Sequence, residues 1–178
     1  MKVLAVALLL FVFLGSSVES LSAQDDLERS VALMGKIGSA TSPSFSPDGK
    51  TLAFVSNLNG IPQVWTMPAS GGFPKLVTAF DDPVGFVTWS PDGKWLAFNV
   101  APGGGLNEQI YVARPDGSEL RRLTEGGKEN NFLGDWTSDG KHIFFSSNRR
   151  NPASTDSYLL DVNGREANGC RKQRHGRH

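Results

Sequence analysis

Ser46-Pro47-Asp48-Gly49-Lys50 stands between an aromatic residue, Phe45, and an apolar run, Leu52-Ala53-Phe54. The same five residues return as Ser90-Pro91-Asp92-Gly93-Lys94, between Trp89 and Leu96-Ala97-Phe98. A degraded copy, Thr137-Ser138-Asp139-Gly140-Lys141, lies between Trp136 and Ile143-Phe144-Phe145. Proline presets a turn-compatible φ, aspartate accepts hydrogen bonds from nearby backbone amides, and glycine takes the positive φ that closes a hairpin. Each copy therefore predicts strand, tight turn, strand. Ser46, Pro47, Asp48, Gly49, Ser90, Pro91, Asp92, Gly93, Asp139 and Gly140 are assigned to these turns, and the row of aspartates is read as architecture rather than as metal or acid–base chemistry.

The copies repeat at 44 residues from Gly49 to Gly93 and 47 from Gly93 to Gly140. A third apolar run follows in each, Val64-Trp65-Thr66-Met67, Ile110-Tyr111-Val112 and Tyr158-Leu159-Leu160. A fourth follows in the first two, Lys75-Leu76-Val77-Thr78 and Arg121-Arg122-Leu123-Thr124. Four antiparallel strands per period of this length make the blade of a β-propeller. The expected fold is all-β, a partial propeller of about three four-stranded blades over residues 39–164, divided at about 39–80, 81–126 and 127–164, the last incomplete.

The 178 residues allow one domain with its own core or a piece of something larger, and 20 Gly and 10 Pro suit a turn-rich chain. A formal charge of zero divides unevenly, 13 Lys and Arg against 17 Asp and Glu in residues 1–164 and 5 against 1 in residues 165–178. The acidic body offers no basic stripe for nucleic acid. Residues 1–23 have the form of a secretory signal, with Lys2 ahead of an apolar run, residues 3–14, that is short for a membrane span. Cleavage after Ala23 is favoured over cleavage after Ser20, and an uncleaved anchor is the competing reading. The expectation is an exported protein, periplasmic or secreted, without membrane attachment after cleavage. Leu27, Val31 and Met34 behind Asp25 or Asp26 predict a short helix within residues 24–38 that covers an edge or end of the β structure. Cys170, the single cysteine, has no internal disulfide partner.

Antiparallel order places the short turns of all blades at one end. Loops 57–61, 101–108 and 147–155, with the links 79–85 and 125–133, lie at the other, where recognition is expected. Candidate contacts there are Asn57, Asp81, Asp82, Glu129, Asn130, Arg149 and Arg150. Asp81, Asp82, Glu108 and Glu129 are weighed as calcium ligands against ordinary solvated loop charges, the default. Arg149-Arg150-Asn151 is weighed as a grip for a carboxylate or peptide terminus against pairing with nearby acids, which is preferred. No cofactor or metal is assigned. Trp65, Tyr111 and Tyr158 hold equivalent third-strand positions and are expected to pack between blades. Trp95, replaced by Thr51 and His142 in the other copies, is expected to be partly exposed.

The Ser-Pro-Asp-Gly-Lys turn followed by Leu-Ala-Phe resembles the TolB-like, PD-type propeller repeat. Ser42-Pro43-Ser44-Phe45, Ser56-Asn57 through Pro62-Gln63-Val64-Trp65, and Glu129-Asn130-Asn131 with Ser146-Ser147-Asn148-Arg149 look like the opening blades of secreted acylaminoacyl- or dipeptidyl-peptidase-type members of the prolyl oligopeptidase family. The resemblance covers about residues 27–164. It implies a propeller that restricts access of peptides to an α/β-hydrolase domain carrying Gly-x-Ser-x-Gly. This chain contains no such pentapeptide and no assembly of its three histidines into a triad, so no catalytic residue is assigned and the chain is expected not to be an enzyme.

After Asn163-Gly164 the alternation stops in mid-blade and the sequence turns basic. Residues 165–178 are read as a non-native or disordered tail left by truncation or frameshift; the rival is a genuine short protein with an interaction tail. Two functions are carried forward. One is the substrate-gating propeller of a serine peptidase, lacking its hydrolase domain; the other is an exported TolB-like scaffold that holds an envelope protein. The partners expected are a peptide substrate or envelope protein at the long-loop end, or a second copy that completes the propeller.

Overall fold

The computed structural model describes residues 38–163, together with Arg29. The signal expected over residues 1–23, the helix expected within 24–38 and the tail 165–178 therefore lie outside the described residues, save Arg29 and Gly38. The described chain is all-β and forms three antiparallel sheets, each a meander whose spatial order follows the sequence. The first holds β1 (Ala40–Phe45), β2 (Thr51–Ser56), β3 (Gln63–Pro68) and β4 (Lys75–Leu76). The second holds β5 (Val84–Trp89), β6 (Leu96–Val100), β7 (Gln109–Ala113) and β8 (Arg121–Arg122). The third holds β9 (Asn131–Trp136), β10 (His142–Asn151) and β11 (Ser154–Asp161). These are three successive blades of a partial β-propeller.

Period-two alternation gives every blade two apolar faces. Ala53 and Val55 of β2, with Val64 of β3, point from blade 1 toward blade 2 and meet Val87, Trp89, Leu96 and Phe98 in one buried cluster. Phe80, from the link between the blades, stands edge-on to Phe98 and Tyr111, whose rings stack at 6.1 Å. The arrangement recurs one blade on. Ala97, Ile110 and Val112 receive Ile143, Phe145 and Leu160, with Leu123 and Leu133 filling the seam. Burying each such side chain contributes about 1.5–3 kcal/mol, so two interfaces of this kind supply most of the cohesion between sheets. Tyr111 and Tyr158 pack at these interfaces, whereas Trp65 is half-buried on the far side of blade 1 and donates from Nε1 to the Ser56 carbonyl at 3.0 Å.

Every innermost strand carries a bulge, between Thr41 and Ser44, between Val84 and Val87, and between Leu133 and Trp136. The extra residue bends the strand where neighbouring blades converge. At the third bulge Gly134 lies so close to β10 that a Cβ there would sit 2.7 Å from the Phe144 carbonyl oxygen, which explains the glycine.

Two expectations need correction. Trp95 is 4% exposed rather than partly exposed, because the guanidinium groups of Arg114 and Arg121 cover its ring at 3.7 and 4.6 Å. Residues 147–155 do not form a loop: β10 runs on to Asn151, β11 starts at Ser154, and a tight turn joins them. The outer strands are also shorter than the four-residue runs suggest. In blade 1 the Thr78 hydroxyl, not a backbone carbonyl, accepts from Val64 N–H at 2.9 Å, and in blade 2 Thr124 does the same for Ile110 at 3.1 Å. The hydroxyl ends the ladder while keeping the buried N–H satisfied.

Candidate functional site

The turn residues use their polar atoms internally. In the first copy the Ser46 hydroxyl donates to Asp48 Oδ1 at 2.6 Å, Lys50 N–H donates to the same oxygen at 3.1 Å, and Ser46 Oγ accepts from Thr51 N–H at 2.9 Å. The second copy repeats this with Ser90, Asp92, Lys94 and Trp95, and the third with Thr137, Asp139, Lys141 and His142. Gly49, Gly93 and Gly140 all hold φ between 68° and 71°. The Ser46 hydroxyl, helped by the Lys50 amide, holds the Asp48 carboxyl below its ordinary value; Thr137 and the Lys141 amide do so for Asp139. Burial pushes Asp92 up, but the Ser90 hydroxyl, the Lys94 amide and the Lys94 ammonium outweigh it and leave it lowered too. Such carboxylates are already occupied as acceptors and poorly suited to accept a substrate proton.

The opposite end of the blades holds the residues weighed for recognition, and most of them tie loops together. Asn57 Oδ1 accepts from Ser39 N–H at 2.6 Å. Both Asp82 oxygens cap a 3-10 turn, Pro102–Gly104, through Gly103 N–H at 2.8 Å and Gly104 N–H at 2.7 Å. Asp81 beside it is exposed. Glu108 accepts from Asn99 Nδ2 at 2.7 Å. Asn130 joins three segments: its Oδ1 accepts from Glu108 N–H at 2.9 Å and its N–H donates to Asn148 Oδ1 at 2.8 Å. Asp82 and Glu108 are thus engaged by donors of the chain, and among the described residues no group of three or more metal-binding side chains occurs.

A buried polar network escaped the sequence reading. Gln63 Oε1 accepts from the Thr78 hydroxyl at 2.8 Å and from Phe80 N–H at 2.9 Å, while its Nε2 donates to the Phe80 and Asp82 carbonyls. Gln109 repeats the pattern, accepting from Thr124 at 2.8 Å and Asn131 Nδ2 at 3.0 Å and donating to the Glu129 carbonyl at 3.0 Å. These glutamines fix the inter-blade links in place. Their equal spacing, 46 residues from Gln63 to Gln109 and from Thr78 to Thr124, was the signal available.

Glu129, Arg149 and Arg150 are the predicted contacts that converge. With Glu125, Asp156 and Tyr158 they line a cleft of about 480 Å³ between the blade 2–3 link and the far end of the β10–β11 hairpin. The hairpin ladder slips between Ser147 and Asn151, and the slip places the two arginines in different settings. Arg150 pairs with Asp156, through Nε and through Nη2 at 3.2 Å, and this hydrogen-bonded pairing raises the guanidinium's pKa. Arg149 instead lies over two rings, 5.5 Å from the Phe145 centroid and 5.2 Å from that of Tyr158. Its Nε and Nη2 are closed off from solvent with no hydrogen-bond acceptor.

A solved structure of TolB from Acinetobacter baumannii superposes with a TM-score of 0.57 at 29% identity, covering 71% of this chain and 30% of that one. The blades are TolB-like. Two peptidases are also similar over part of this chain: tricorn protease homolog 1 of Streptomyces coelicolor is 31% identical over 101 residues, 57% of this chain and 9% of that protein. The uncharacterized peptidase YuxL of Bacillus subtilis is 39% identical over 67 residues, 37% of this chain and 10% of that protein. The chain thus spans about a tenth of the length of these two relatives. No family model matches it. These similarities fit a TolB-like propeller.

Proposed function

We propose that these blades are the non-catalytic propeller portion of an exported prolyl-oligopeptidase-like serine peptidase, in which the propeller limits which peptides reach a hydrolase domain. The similarity to the YuxL peptidase, 39% over 67 residues, carries this reading. The loop-end geometry supports it: the polar side chains there hold loops in fixed positions around one open cleft, as a filter for chain ends requires. The apolar run behind Lys2 supports export to the periplasm or beyond. The test is to sequence the coding locus from codon 150 onward and translate all forward frames past Gly164. Blades resuming in one frame, followed by Gly-x-Ser-x-Gly, are the expected result; frames that all close without further blades would contradict it.

A second reading, a scaffold that holds an envelope protein, is favoured by the likeness to TolB at 29% identity over 71% of the chain. It predicts that the purified mature chain captures one envelope protein reproducibly, and that this capture survives serine-directed inhibitors. Capture of chaperones and proteases alone would count against it.

A further inference from the structure

We propose that Arg149 is a carboxylate seat for a peptide ligand at the long-loop end. The observation is an asymmetry between adjacent arginines. Arg150 has a carboxylate partner in Asp156, whereas the Nε and Nη2 hydrogens of Arg149 have none and are shut off from water. Those two nitrogens form one edge of the guanidinium, the edge that presents parallel N–H groups to both oxygens of a carboxylate. A charged donor buried without an acceptor is costly, so a ligand that supplies two acceptor oxygens is rewarded more strongly here than at an exposed arginine. Phe145 and Tyr158 hold the side chain from the flanks, which limits the ordering cost of binding. Arg149 itself lines the cleft, so a chain end that enters the cleft comes up against this side chain.

The surroundings select the class of anion. Glu125, Glu129 and the Arg150-paired Asp156 line the same cleft, so a doubly charged phosphate or sulfate is repelled more strongly there than a singly charged carboxylate. Room for about 480 Å³ admits a chain end or a short peptide segment rather than a lone ion. The carboxylate is either the α-carboxylate of a peptide end or the side chain of a peptide Asp or Glu. This inference deepens the proposed filter for peptides and rests on the loop end being its recognition face.

The test uses the full exported chain with nitrogen-15-labelled arginine side chains. The probes are N-acetyl-Ala-Ala, its C-terminal amide, N-acetyl-Asp-Ala amide and inorganic phosphate. The Arg149 Nε–H resonance, assigned by its loss in R149K, is followed through each titration. The expected result is a saturable shift with at least one carboxylate probe, and no comparable shift with the Ala-Ala amide or phosphate. Tighter binding of one carboxylate probe identifies the source. R149K keeps the charge and the stem over the rings but loses the fork, so affinity falls about tenfold or more, while R150K changes it by about threefold or less. Both variants are checked for an unchanged amide spectrum. No saturable shift in the wild-type protein, equal response to the amide or phosphate, or undiminished binding by a folded R149K would overturn the seat. The peptidase reading would still be decided separately, by the downstream coding sequence.

Discussion

Oδ1 of Asp48, of Asp92 and of Asp139 accepts two hydrogen bonds within its own turn, and this sets the sign of the acid response. All three carboxyls are held below their ordinary values in the folded chain. Their contribution to stability is therefore fully present above the unfolded-state value of roughly 4 and is lost as pH falls through the lower folded values. A triple variant, D48N, D92N and D139N, keeps the acceptor oxygens but cannot titrate. Urea midpoints measured between pH 7 and pH 3 should fall less steeply for the variant than for the wild type; parallel curves would contradict the assignment. The buried hydrogen bond between Gln109 and Thr124 makes a second residue-level prediction. Thr124→Val leaves the buried Ile110 N–H unpaired, at about 1–3 kcal/mol, while Gln109 Oε1 loses one donor and keeps Asn131 Nδ2. Thr124→Ser should recover most of the loss, measured as urea unfolding free energy at pH 7.

At the scale of the element, the bulge in β9 explains a glycine that no turn requires. Gly134→Ala drives a methyl group against the Phe144 carbonyl oxygen, backbone that cannot rotate away, and should cost about 1–3 kcal/mol in unfolding free energy. Gly103→Ala, at a position with open space around it, carries only the strain of its positive φ and serves as the control. What the sequence revealed follows from how local each signal is. The Ser-Pro-Asp-Gly-Lys turns and the alternating strands beside them are encoded in contiguous residues, so blade number and register were legible. The Gln63–Thr78 and Gln109–Thr124 latches join residues 15 apart through side chains that look like ordinary polar strand residues. The extended hairpin was missed because Asn148-Arg149-Arg150-Asn151-Pro152 lacks apolar alternation and reads as a loop. Its ladder is carried by backbone pairing that composition does not report. The seven loop-end residues were legible as a set by topology, but which three would meet depended on the slip in β10.

Across the whole molecule the three blades are not equivalent. Blade 2 is covered on both faces, whereas blades 1 and 3 each pack one face against it. On blade 1 the face that corresponds by register to Trp89, Leu96, Phe98 and Tyr111 carries Phe45, Leu52, Phe54 and Trp65; Phe45 is 61% exposed, whereas Phe54 is buried and Leu52 and Trp65 are half-buried. On blade 3 the outward face carries Phe132, Phe144 and Leu159, with both phenylalanines exposed. Stability in such an array is a sum of blade and neighbour contributions, so the end blades should open at lower free energy than the middle one. The exposed aromatics at both ends should also bind a hydrophobic dye in the folded state. Amide hydrogen exchange on the chain, shown to be monomeric by sedimentation, tests the partial propeller most directly. Protection should be strongest in β6 and β7, with β2, β3, β10 and β11 exchanging sooner. Equal protection across all three sheets in a monomer, lost in one cooperative step, would contradict it.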